Sequence, residues 1–359
     1  MRYSFKTILA STVLAGIFGL LVLGISVVIY GRTGGKELAE RLEVPRPAII
    51  AHRGASYLAP EETAPAYLLA REMGVDYLEL DLQRTKDGVL IALHDDDLRR
   101  TTNIADVFPG RKMDTVDKFT FTELQSLDAG SWFNIRFPDR ARASLKNVRI
   151  LRLEDVINIA EGGSDKLGLY IETKSARRFP GIEKQLVEIL TARGWITRLP
   201  RRVSESPPTE RVRSPARVIF QSFEADSLAR LKELAPQVPA TLLLDEAMMR
   251  KDGWDAILRS AKRVADGIGT WGYQWSRDPN WSVKDAPNRY LTVWPWYTGQ
   301  AHRAGLLVHP WTIDDRWEMW MVSFFGADGF FTNRSDLALL FYGRADHIDL
   351  KSMWERIGY

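Results

Sequence analysis

Short apolar segments rich in branched residues alternate with amphipathic segments from about residue 47 to the end of the chain, and this alternation constrains the fold most. The short segments suit buried strands, and the amphipathic segments suit helices. Strands that alternate with helices form βαβ units and a parallel sheet, and about eight such units close into an α/β barrel. The predicted strands are residues 48–51, 77–82, 89–93, 169–171, 218–220, 241–244, 306–308 and 329–331. The clearest predicted helices are residues 62–73, 181–193, 225–234, 252–264 and 315–325.

A long apolar run precedes the predicted barrel. Residues 8–30 form 23 positions without a charged side chain, which is long enough to cross the ~30 Å hydrocarbon core of a bilayer as a helix. A cleaved signal peptide has a shorter apolar region and a small-residue cleavage site, whereas residues 30–32 read Tyr-Gly-Arg. We therefore expect an uncleaved, single-pass membrane anchor. The short basic end with Arg2 and Lys6 is expected inside, which leaves the barrel on the extracytoplasmic side.

These features divide the chain into three parts. Residues 1–46 form the anchor and a juxtamembrane segment, residues 47–343 form the barrel, and residues 344–359 form a C-terminal tail. The proline-rich and arginine-rich segment 199–217 interrupts the alternation within the barrel. It is interpreted as a solvated insertion loop or, alternatively, as an arm that contacts anionic lipid head groups.

The charge balance and the absence of cysteine exclude several classes of protein. The 49 basic residues nearly cancel the 46 acidic residues, and a net charge of +3 argues against a nucleic-acid-binding protein, in which a basic stripe is expected. Because the chain contains no cysteine, it has neither disulfides nor thiolate metal sites.

Charged residues follow the predicted strands at the ends where a barrel of this kind places its active site. His52 and Arg53 come directly after strand 48–51. Glu79 and Asp81 are two residues apart on one strand, so both carboxylates point to the same face. Two carboxylates on one face repel each other unless a cation lies between them. Mg²⁺ or Ca²⁺, which prefer oxygen ligands, would remove this repulsion.

A histidine is expected beside this metal site. The Asp-Gly pair at 87–88 is a strong signal for a two-residue hairpin loop. With this loop Lys86 pairs with Val89, and Asp81 then lies directly opposite His94 on the neighbouring strand. The register depends on the loop length, because a slip of one residue would turn the histidine to the other face.

A further strand end adds one carboxylate and one cation. Glu172 and Lys174 share a strand face, so Glu172 is a candidate metal ligand and Lys174 a candidate binding residue for an anion. Together the clusters supply two histidines, three carboxylates and two cations. Metal-assisted cleavage of a phosphodiester needs this combination, because the metal and the cations neutralise developing charge while the histidines act as general base and general acid.

The motifs in this order resemble the glycerophosphodiester phosphodiesterase family. The resemblance extends from about residue 49 to residue 336. Its early motifs are His52-Arg53-Gly54, Pro60-Glu61-Glu62-Thr63, Glu79-Leu80-Asp81, Thr85-Lys86-Asp87-Gly88, His94-Asp95 and Glu172-Thr173-Lys174. Its later motifs are Gln221-Ser222-Phe223, Trp311-Thr312-Ile313-Asp314 and residues 327–332. The resemblance implies a TIM-type (β/α)8 barrel that hydrolyses glycerophosphodiesters to an alcohol and glycerol 3-phosphate with a divalent cation.

The resemblance also implies roles for the matching residues. They are the catalytic pair His52 and His94, the substrate-binding residues Arg53, Lys174 and Trp311, and the metal ligands Glu79, Asp81 and Glu172. The glycerol 2-hydroxyl would attack phosphorus and give a cyclic phosphate that water then opens. His52 would take the hydroxyl proton and His94 would protonate the leaving oxygen, although the two labels could be exchanged.

Two positions depart from the family pattern. Glu62 stands where the family usually has Asn, which adds a negative charge near the site. The closing motif reads Thr332-Asn333-Arg334-Ser335 instead of Thr-Asp-x-Pro. Neither departure replaces a proposed ligand, so both bear on the substrate more than on the chemistry.

Two other functions stay open. A lysophospholipase D that acts on membrane lysophospholipids would use the same chemistry, and a pocket lined by the aromatic residues of segment 271–296 would favour it. The third hypothesis is a catalytically inactive, membrane-tethered binding module, but such proteins lose a histidine or a metal carboxylate and this chain keeps them all. The expected partners are a glycerophosphodiester or lysophospholipid and, through residues 8–30, a membrane, with no nucleic acid.

Aromatic residues and two histidines remain in the last third of the chain. Most aromatic residues between 267 and 320 are expected in core or rim packing, and those at 271–281 alternatively at a membrane interface. His302 is interpreted as a surface residue. His309 is interpreted as a structural histidine or as one that faces the pocket.

Overall fold

The computed structural model describes residues 16–22, 24–25, 33–164, 167–197, 216–245, 248, 252–271 and 293–359. Within these ranges, parallel strands form a nearly closed TIM-type barrel in the order β8-β7-β6-β5-β4-β2-β1-β9, with β3 added antiparallel to β2. The strands are β1 Ala48–Ala51, β2 Tyr77–Arg84, β3 Leu90–Ala92, β4 Gly168–Thr173, β5 Val218–Ser222, β6 Ala240–Leu243, β7 Gly267–Gly269, β8 Leu307–Val308 and β9 Gly329–Thr332.

Helices cover the outside of the barrel and its amino end. The α-helices are α1 Thr33–Leu42, α2 Ala64–Met73, α3 Ile104–Val107, α4 Phe121–Leu124, α5 Ser131–Arg136, α6 Leu153–Glu161, α7 Ile182–Ala192, α8 Ala225–Leu234, α9 Trp254–Val264, α10 Pro295–Arg303, α11 Arg316–Phe324, α12 Ser335–Phe341 and α13 Leu350–Ile357. Single 3-10 turns lie at Pro109–Arg111, Val116–Lys118, Pro138–Arg140, Ala143–Leu145 and Ala176–Arg178.

The barrel predicted from the alternation is confirmed, and β8 and β9 meet where it closes. The Asp328 amide donates to the Val308 carbonyl at 2.9 Å, and the Phe331 amide donates to the Pro310 carbonyl at 3.0 Å. On its other side β9 pairs in parallel with β1. Because the carboxyl ends of all parallel strands then face the same way, residues that follow distant strands are brought to one opening.

The hairpin register predicted for β2 and β3 is wrong by one residue. Leu82 pairs with Ala92, so Asp81 lies opposite Leu93 and not opposite His94. The loop has three residues instead of two, because the Thr85 amide donates to the Val89 carbonyl at 2.9 Å and Gly88 adopts a left-handed φ of 86°. A three-residue hairpin with glycine in this conformation is the next most common loop after the two-residue turn.

Strand β7 is a parallel strand of the barrel wall, and the strand prediction did not include it. Its residues are Gly267, Ile268 and Gly269, which pair with both β6 and β8. Two glycines in three positions give no β-propensity signal, and the strand is held by its neighbours. A Cβ at Gly269 would lie 2.5 Å from the end of the Leu243 side chain, so a larger residue there would displace that side chain of β6.

Helix α1 closes the amino end of the barrel with an apolar cluster. Leu38 and Ala39 of α1 pack against the inward side chains of the strands, among them Tyr77, Tyr170 and Phe331. The Tyr170 ring lies at the centre of this cluster, 5.7 Å from the Tyr77 ring and 4.9 Å from the Phe331 ring. The barrel is therefore filled from below, and the opening at the carboxyl end is the accessible one.

A buried charged cluster lies at the same amino end. The Asp328 carboxylate accepts hydrogen bonds from the Val308 amide and from Arg46 Nε, both at 2.8 Å, and pairs with His302 Nε2 at 2.8 Å. His302 is only 6% exposed, so its interpretation as a surface residue is wrong. The reason is that α1 packs directly over it, with Gly34 close to the His302 side chain.

The ends of the chain differ in what the structure describes. The predicted tail 344–359 includes helix α13, whose Trp354 is buried and whose Arg356 pairs with Glu72 of α2 at 3.1 Å. The predicted anchor 8–30 lies largely outside the described residues, and so does most of the insertion 199–217. Among the residues that are described, no helix has both the length and the apolar character needed to cross a membrane.

Candidate active site

One pocket at the carboxyl end of the barrel contains all eight residues that the sequence analysis selected. These are His52, Arg53, Glu79, Asp81, His94, Glu172, Lys174 and Trp311. Four further side chains complete its lining, namely Gln221, Phe223, Leu243 and Phe331. They come from the ends of β1, β2, β4, β5, β6 and β9 and from the segments after β3 and β8, which the closure of the barrel brings together.

A tight turn after β1 places His52 and Arg53 at the pocket. Arg53 and Gly54 both adopt positive φ angles, 55° and 81°. The turn lies against the start of α2, where a Cβ on Gly54 would be 2.7 Å from the Ala66 carbonyl carbon. Glycine is therefore required at this position, because it has no side chain to clash and tolerates the left-handed conformation.

Three buried carboxylates form the floor of the pocket. Glu79 and Asp81 point into the barrel from β2, and Glu172 lies directly beside Asp81 on the neighbouring strand β4. One oxygen from each of the three can be chosen so that all three lie within 4.8 Å of one another. The outward residues between them, such as Leu80, are buried against the helices, which fixes which face the carboxylates occupy.

Two cations lie against this cluster without neutralising it. Lys174 Nζ is 3.2 Å from Glu172 Oε1 and 3.7 Å from Asp81 Oδ1. Arg53 Nε is 3.0 Å from Asp81 Oδ2, but the angle does not make a hydrogen bond and both atoms lack a hydrogen-bonded partner. The Glu79 carboxylate instead accepts from the Arg53 amide at 2.8 Å and from Gln221 Nε2 at 2.9 Å.

Burial and mutual repulsion act on the pKa values of the three carboxylates. Burial raises the pKa of Glu172 to about 8, with Lys174 opposing this shift and Asp81 adding to it. Burial and then the neighbouring Asp81 raise the pKa of Glu79. Burial alone would also raise the pKa of Asp81, but Lys174 and Arg53 outweigh it and lower that pKa. Glu172 thus holds a proton at neutral pH unless another positive charge joins the cluster.

These residues fit a hard divalent cation. The donors are all carboxylate oxygens, which Mg²⁺ and Ca²⁺ prefer, and Asp81 Oδ2 is a buried acceptor that no hydrogen atom satisfies. Arg53 and Lys174 lie against the Asp81 carboxylate, and a bound cation would contact the oxygen that accepts no hydrogen bond. Glu79, Asp81 and Glu172 are the residues that would hold it.

His52 is oriented by a neutral amide. Its Nδ1 lies 2.8 Å from Asn333 Oδ1, while Asn333 Nδ2 donates to Asp314 Oδ2 at 2.7 Å. Because Asp314 requires the NH₂ group, the oxygen of Asn333 faces His52, and His52 Nδ1 carries the proton in this tautomer. Burial and then the nearby Arg53 lower the pKa of His52 to about 3, so the ring is neutral with a free lone pair on Nε2.

His94 is oriented by a carboxylate. Its Nδ1 lies 2.6 Å from Asp95 Oδ1, and Arg100 binds the same carboxylate through Nε at 2.5 Å. Burial alone would raise the pKa of Asp95, but its hydrogen bonds with His94 and Arg100 outweigh burial and lower that pKa. Gln83 Nε2 donates to the carbonyls of residues 93 and 95 at 2.8 and 2.7 Å. These two hydrogen bonds hold the segment that carries His94 at the pocket, where the hairpin register alone would not place it.

An apolar wall faces the charged floor. The Phe223 and Trp311 rings lie edge to face at 5.8 Å, and Trp311 continues to Trp271 at 4.9 Å. Lys174 Nζ lies over the Phe223 ring at 5.9 Å, where the charged and apolar parts of the pocket meet. An amphiphilic molecule with one anionic and one apolar or glyceryl part fits such a division.

The sequence analysis did not select four residues that organise the site. Gln221 binds Glu79, Asn333 binds His52, Glu61 joins Arg53 to Arg100, and Glu62 Oε1 accepts from the Asp81 amide at 2.9 Å. All four lie in the motifs of the resemblance, and Gln221 and Asn333 stand at or just after strand ends. A polar residue that ends an apolar strand run was the available signal.

Comparison with known proteins gives one consistent result. Residues 52–337 match the sequence profile of the Glycerophosphoryl diester phosphodiesterase family. The chain is similar to a glycerophosphodiester phosphodiesterase of Bacillus subtilis (strain 168), at 34% identity over 300 residues that cover 82% of this chain and 86% of that protein. It is also similar to a glycerophosphodiester phosphodiesterase of Caldanaerobacter subterraneus, at 30% identity over 286 residues that cover 79% and 93%.

Solved structures share the fold. A glycerophosphodiester phosphodiesterase from Agrobacterium tumefaciens superposes with a TM-score of 0.52 and 25% identity, and the match covers 81% of this chain and 98% of that one. A phosphodiesterase from Oleispira antarctica, solved with the product sn-glycerol-3-phosphate, superposes with a TM-score of 0.55 and 21% identity over 83% and 97%.

Proposed function

Because the chain belongs to the glycerophosphoryl diester phosphodiesterase family and is a phosphoric diester hydrolase, we propose that it hydrolyses glycerophosphodiesters to an alcohol and glycerol 3-phosphate with His52 and His94 as its acid–base pair. One observation carries the assignment of the pair. The Nδ1 atom of His52 faces an amide oxygen, whereas the Nδ1 atom of His94 faces a carboxylate. The two histidines therefore have different hydrogen-bond partners, one neutral and one anionic.

His52 is the general base. An amide oxygen fixes the Nδ1–H tautomer without adding negative charge, so Nε2 is left with its lone pair at the working pH. The pKa of His52, lowered to about 3 by burial and by Arg53, keeps the ring neutral before the reaction. A substrate phosphate beside Arg53 would offset that cation and make the ring a better proton acceptor when substrate is bound.

His94 is the general acid. The Asp95 carboxylate stabilises an imidazolium ring, as the carboxylate of a Ser-His-Asp triad does. Burial alone would raise the pKa of Asp95, but His94 and Arg100 outweigh it and lower that pKa, so Asp95 stays ionised through the reaction. The Nε2 proton of His94 is then available to the leaving oxygen.

The floor of the pocket binds and neutralises the phosphate. Arg53 and Lys174 supply two fixed positive charges within reach of an anion in the pocket. When bound to Glu79, Asp81 and Glu172, Mg²⁺ or Ca²⁺ supplies further positive charge that polarises the phosphoryl oxygens. The Trp311 ring lines the side of the pocket opposite these charges and would contact the glycerol or alcohol part.

The reaction has two steps that return both histidines to their starting states. His52 takes the proton of the glycerol 2-hydroxyl, whose oxygen bonds to phosphorus while the alcohol leaves with the proton of His94. Water then opens the cyclic phosphate: it gives its proton to His94, and His52 returns its proton to the 2-oxygen. The products are one alcohol and glycerol 3-phosphate, and each step uses one base and one acid.

The test is turnover by the purified full chain in detergent. Glycerophosphocholine, glycerophosphoethanolamine and lysophosphatidylcholine are each assayed with Mg²⁺, Ca²⁺ or EDTA, beside His94→Ala and the matched control His347→Ala. His347 is exposed outside the pocket, so its replacement controls for the loss of an imidazole. Metal-dependent turnover that only His94→Ala removes supports the proposal. Equal turnover in EDTA, or an active His94→Ala variant, contradicts it.

A lysophospholipase D activity is the second candidate, and the aromatic wall favours it. The Phe223, Trp311 and Trp271 rings form a continuous series away from the charged floor, which could receive an acyl chain. Turnover of lysophosphatidylcholine above that of glycerophosphocholine would select this activity. A selective loss of that turnover in Trp271→Ala would identify the wall as the cause.

The anchor and the inactive alternative complete the proposal. Residues 8–30 would hold the chain in a membrane as a single-pass helix, with the barrel on the extracytoplasmic side. If folded protein binds a glycerophosphodiester but turns over none of the three substrates with either metal, the chain is a catalytically inactive binding module.

A further inference from the structure

A series of stacked aromatic rings crosses the outer surface of the barrel, and none of these rings lines the active-site pocket. In α11 the rings of Trp317 and Trp320 stack with centroids 5.0 Å apart, and Trp320 stacks on Phe324 at the same distance. Phe324 contacts Phe325 at 5.7 Å, and Phe325 stacks on Trp294 at 5.5 Å. Trp296 of α10 ends the series, 5.0 Å from Trp294. These six residues are called the aromatic ladder.

Water contacts a large part of the ladder. Trp317 is 56% exposed, Trp320 44% and Trp296 40%. In α11 the exposed positions are Arg316, Trp317 and Trp320, and the exposed Asp315 stands at the N-cap of the helix. Exposing apolar rings to water costs free energy, and contiguous exposed apolar surface marks an interaction site in soluble proteins.

A helix on the opposite side of the barrel shows what an ordinary solvent face looks like. Helix α7 follows β4 and α11 follows β8, and these strands lie four positions apart in the eight-membered order. The exposed positions of α7 are Lys184, Glu188 and Ala192, and the first two form an ion pair at 3.7 Å. Packing on the barrel therefore does not itself require exposed tryptophan.

Basic side chains lie next to the ladder. Arg259 and Lys262 of α9 and Arg303 of α10 line a surface groove between these two helices, together with the single acid Asp255. Helix α10 thus has the groove on one side and Trp296 on its first turn. Tryptophan beside arginine and lysine is the composition of protein surfaces that lie in the head-group region of anionic membranes.

The helix that follows the predicted anchor in the sequence packs on α10, which carries Trp296. This helix is α1, and a Cβ on its Gly34 would lie 3.0 Å from the His302 side chain. His302 and Trp296 are six residues apart, which is about 9 Å along a helix. A chain anchored through residues 8–30 would therefore hold this side of the barrel towards the bilayer.

We propose that the aromatic ladder and the adjacent basic groove form a docking surface for a lipid bilayer that contains anionic lipids. The rings lie at the level of the head groups, and Arg259, Lys262 and Arg303 lie over the lipid phosphates. The bilayer is the occupant, and not a protein, because the chain itself supplies the predicted anchor next to this surface. The surface does not depend on the chemistry at the carboxyl end of the barrel.

The absence of cysteine makes a direct test possible, because one introduced cysteine is the only labelling site. The full chain carrying Trp320→Cys is labelled with an environment-sensitive fluorophore and placed in vesicles of phosphatidylcholine with phosphatidylglycerol. The matched control is Glu188→Cys on α7, which has the same anchor and lies on the opposite side of the barrel. Blue-shifted emission and several-fold stronger quenching by lipid-attached quenchers are expected at position 320 only.

The charge arm and the folding control complete the test. Replacing both Arg259 and Lys262 with Glu is expected to weaken the quenching at position 320 in anionic vesicles, as high salt should in the parent. A cooperative thermal transition shows that each labelled chain is folded, whatever its activity, so this test is separate from that of the proposed hydrolysis. Water-like emission at both positions overturns the proposal. Concentration-dependent protection of position 320 in detergent also overturns it, because a second copy of the chain would then be the occupant.

Discussion

The two ends of the barrel each bury a cluster of charged side chains, but with opposite balance. At the amino end one carboxylate, Asp328, is surrounded by Arg46, His302 and a backbone amide, and all three bonds measure 2.8 Å. At the carboxyl end three carboxylates share Arg53 and Lys174. In the first cluster three donors bind one carboxylate, and in the second three carboxylates lie beside two cations.

The pKa values express this difference. Burial alone would raise the pKa of Asp328, but His302 and Arg46 outweigh it and lower that pKa. At the other end burial raises the pKa of Glu172 to about 8 and also raises that of Glu79. A satisfied buried cluster contributes to holding the fold, whereas an unsatisfied one is kept where a ligand completes it. This difference supports the proposal that the active site lies at the carboxyl end of the barrel.

The largest expected difference between the two ends appears when one histidine is replaced at each end in separate variants. His94→Ala should lower kcat by about 10²–10⁴-fold, which is the contribution of general acid–base catalysis. His302→Ala should leave kcat per folded molecule unchanged and lower the melting temperature, because Asp328 loses a partner. Both are measured on protein whose folded fraction is known from circular dichroism. A comparable loss of kcat in His302→Ala would show that the two ends are not separate.

Neutralising one carboxylate at each end should change stability in opposite directions. Asp328→Asn should lower the free energy of unfolding by about 3–5 kcal/mol, because it breaks a buried ion pair. Glu172→Gln, measured in EDTA, should leave that free energy unchanged or raise it, because it relieves the repulsion with Asp81. Urea unfolding gives both values. A large destabilisation in Glu172→Gln would mean that the carboxyl end is satisfied without a cation.

The pH dependence of stability should also separate the two ends. Because the pKa of Glu172 is about 8 in the folded protein and 4.5 in the reference state, its contribution is fully present below about 4.5 and is lost as the pH rises through 8. The lowered pKa of Asp328 makes its contribution present above its unfolded pKa and lost only on acidification. In EDTA, stability should therefore fall between pH 7 and 8, by at most about 1.4 kcal/mol for each such carboxyl.

The interval from pH 7 to 8 lies above the range in which His52 contributes to the pH dependence. Burial and then Arg53 lower the pKa of His52 from 6.5 to about 3. Its contribution to stability is therefore present above pH 6.5 and is lost as the pH falls, which is opposite to the behaviour of Glu172. Mg²⁺ or Ca²⁺ should abolish the fall between pH 7 and 8, and Glu172→Gln should reduce it in EDTA. If stability in EDTA is flat over this interval in the parent chain, the carboxylates are not repelling one another.

The smallest effect is expected from Glu62, a fourth buried carboxyl beside the cluster. Its Oε1 accepts from the Asp81 amide at 2.9 Å, and its Oε2 accepts from the Tyr67 hydroxyl. Glu62→Gln keeps a side chain of the same length, so kcat should change by less than about tenfold and stability in EDTA by about 1 kcal/mol or less. Glu79→Gln is the matched comparison, since it alters a proposed ligand. Equal kcat losses in the two would make Glu62 part of the metal site.

Much of the fold could be predicted because local pattern and tertiary structure agree. Strand β1 has the predicted bounds, and α8 does too, since each combines a clear period with clear ends. The eight selected side chains meet in one pocket because residues that follow the strands of a closed parallel barrel all lie at its carboxyl end. Their individual roles in catalysis and binding stay predictions.

The predictions that were wrong or incomplete depended on contacts between residues that are distant in the sequence. The register of β3 followed from a loop whose third residue was not recognised, and β7 was not identified because neighbouring strands hold two glycines in place. The histidine at 302 looked like a surface residue because nothing local shows that α1 packs over it. Asn333 was noted only as a departure from the family pattern, and its role was missed because its partner His52 lies 281 positions away.

The sequence by itself determined the α/β barrel and the set of charged residues at its carboxyl end, because periodicity and strand-end position are local properties of the chain. Only the tertiary structure decided which histidine faces an amide and which a carboxylate, through Asn333 and Asp95. It also decided that both oxygens of the Asp328 carboxylate are hydrogen-bonded, whereas Asp81 Oδ2 at the other end is not. Charge balance in a buried cluster depends on distances between residues far apart in the sequence, and those distances exist only after the barrel has closed.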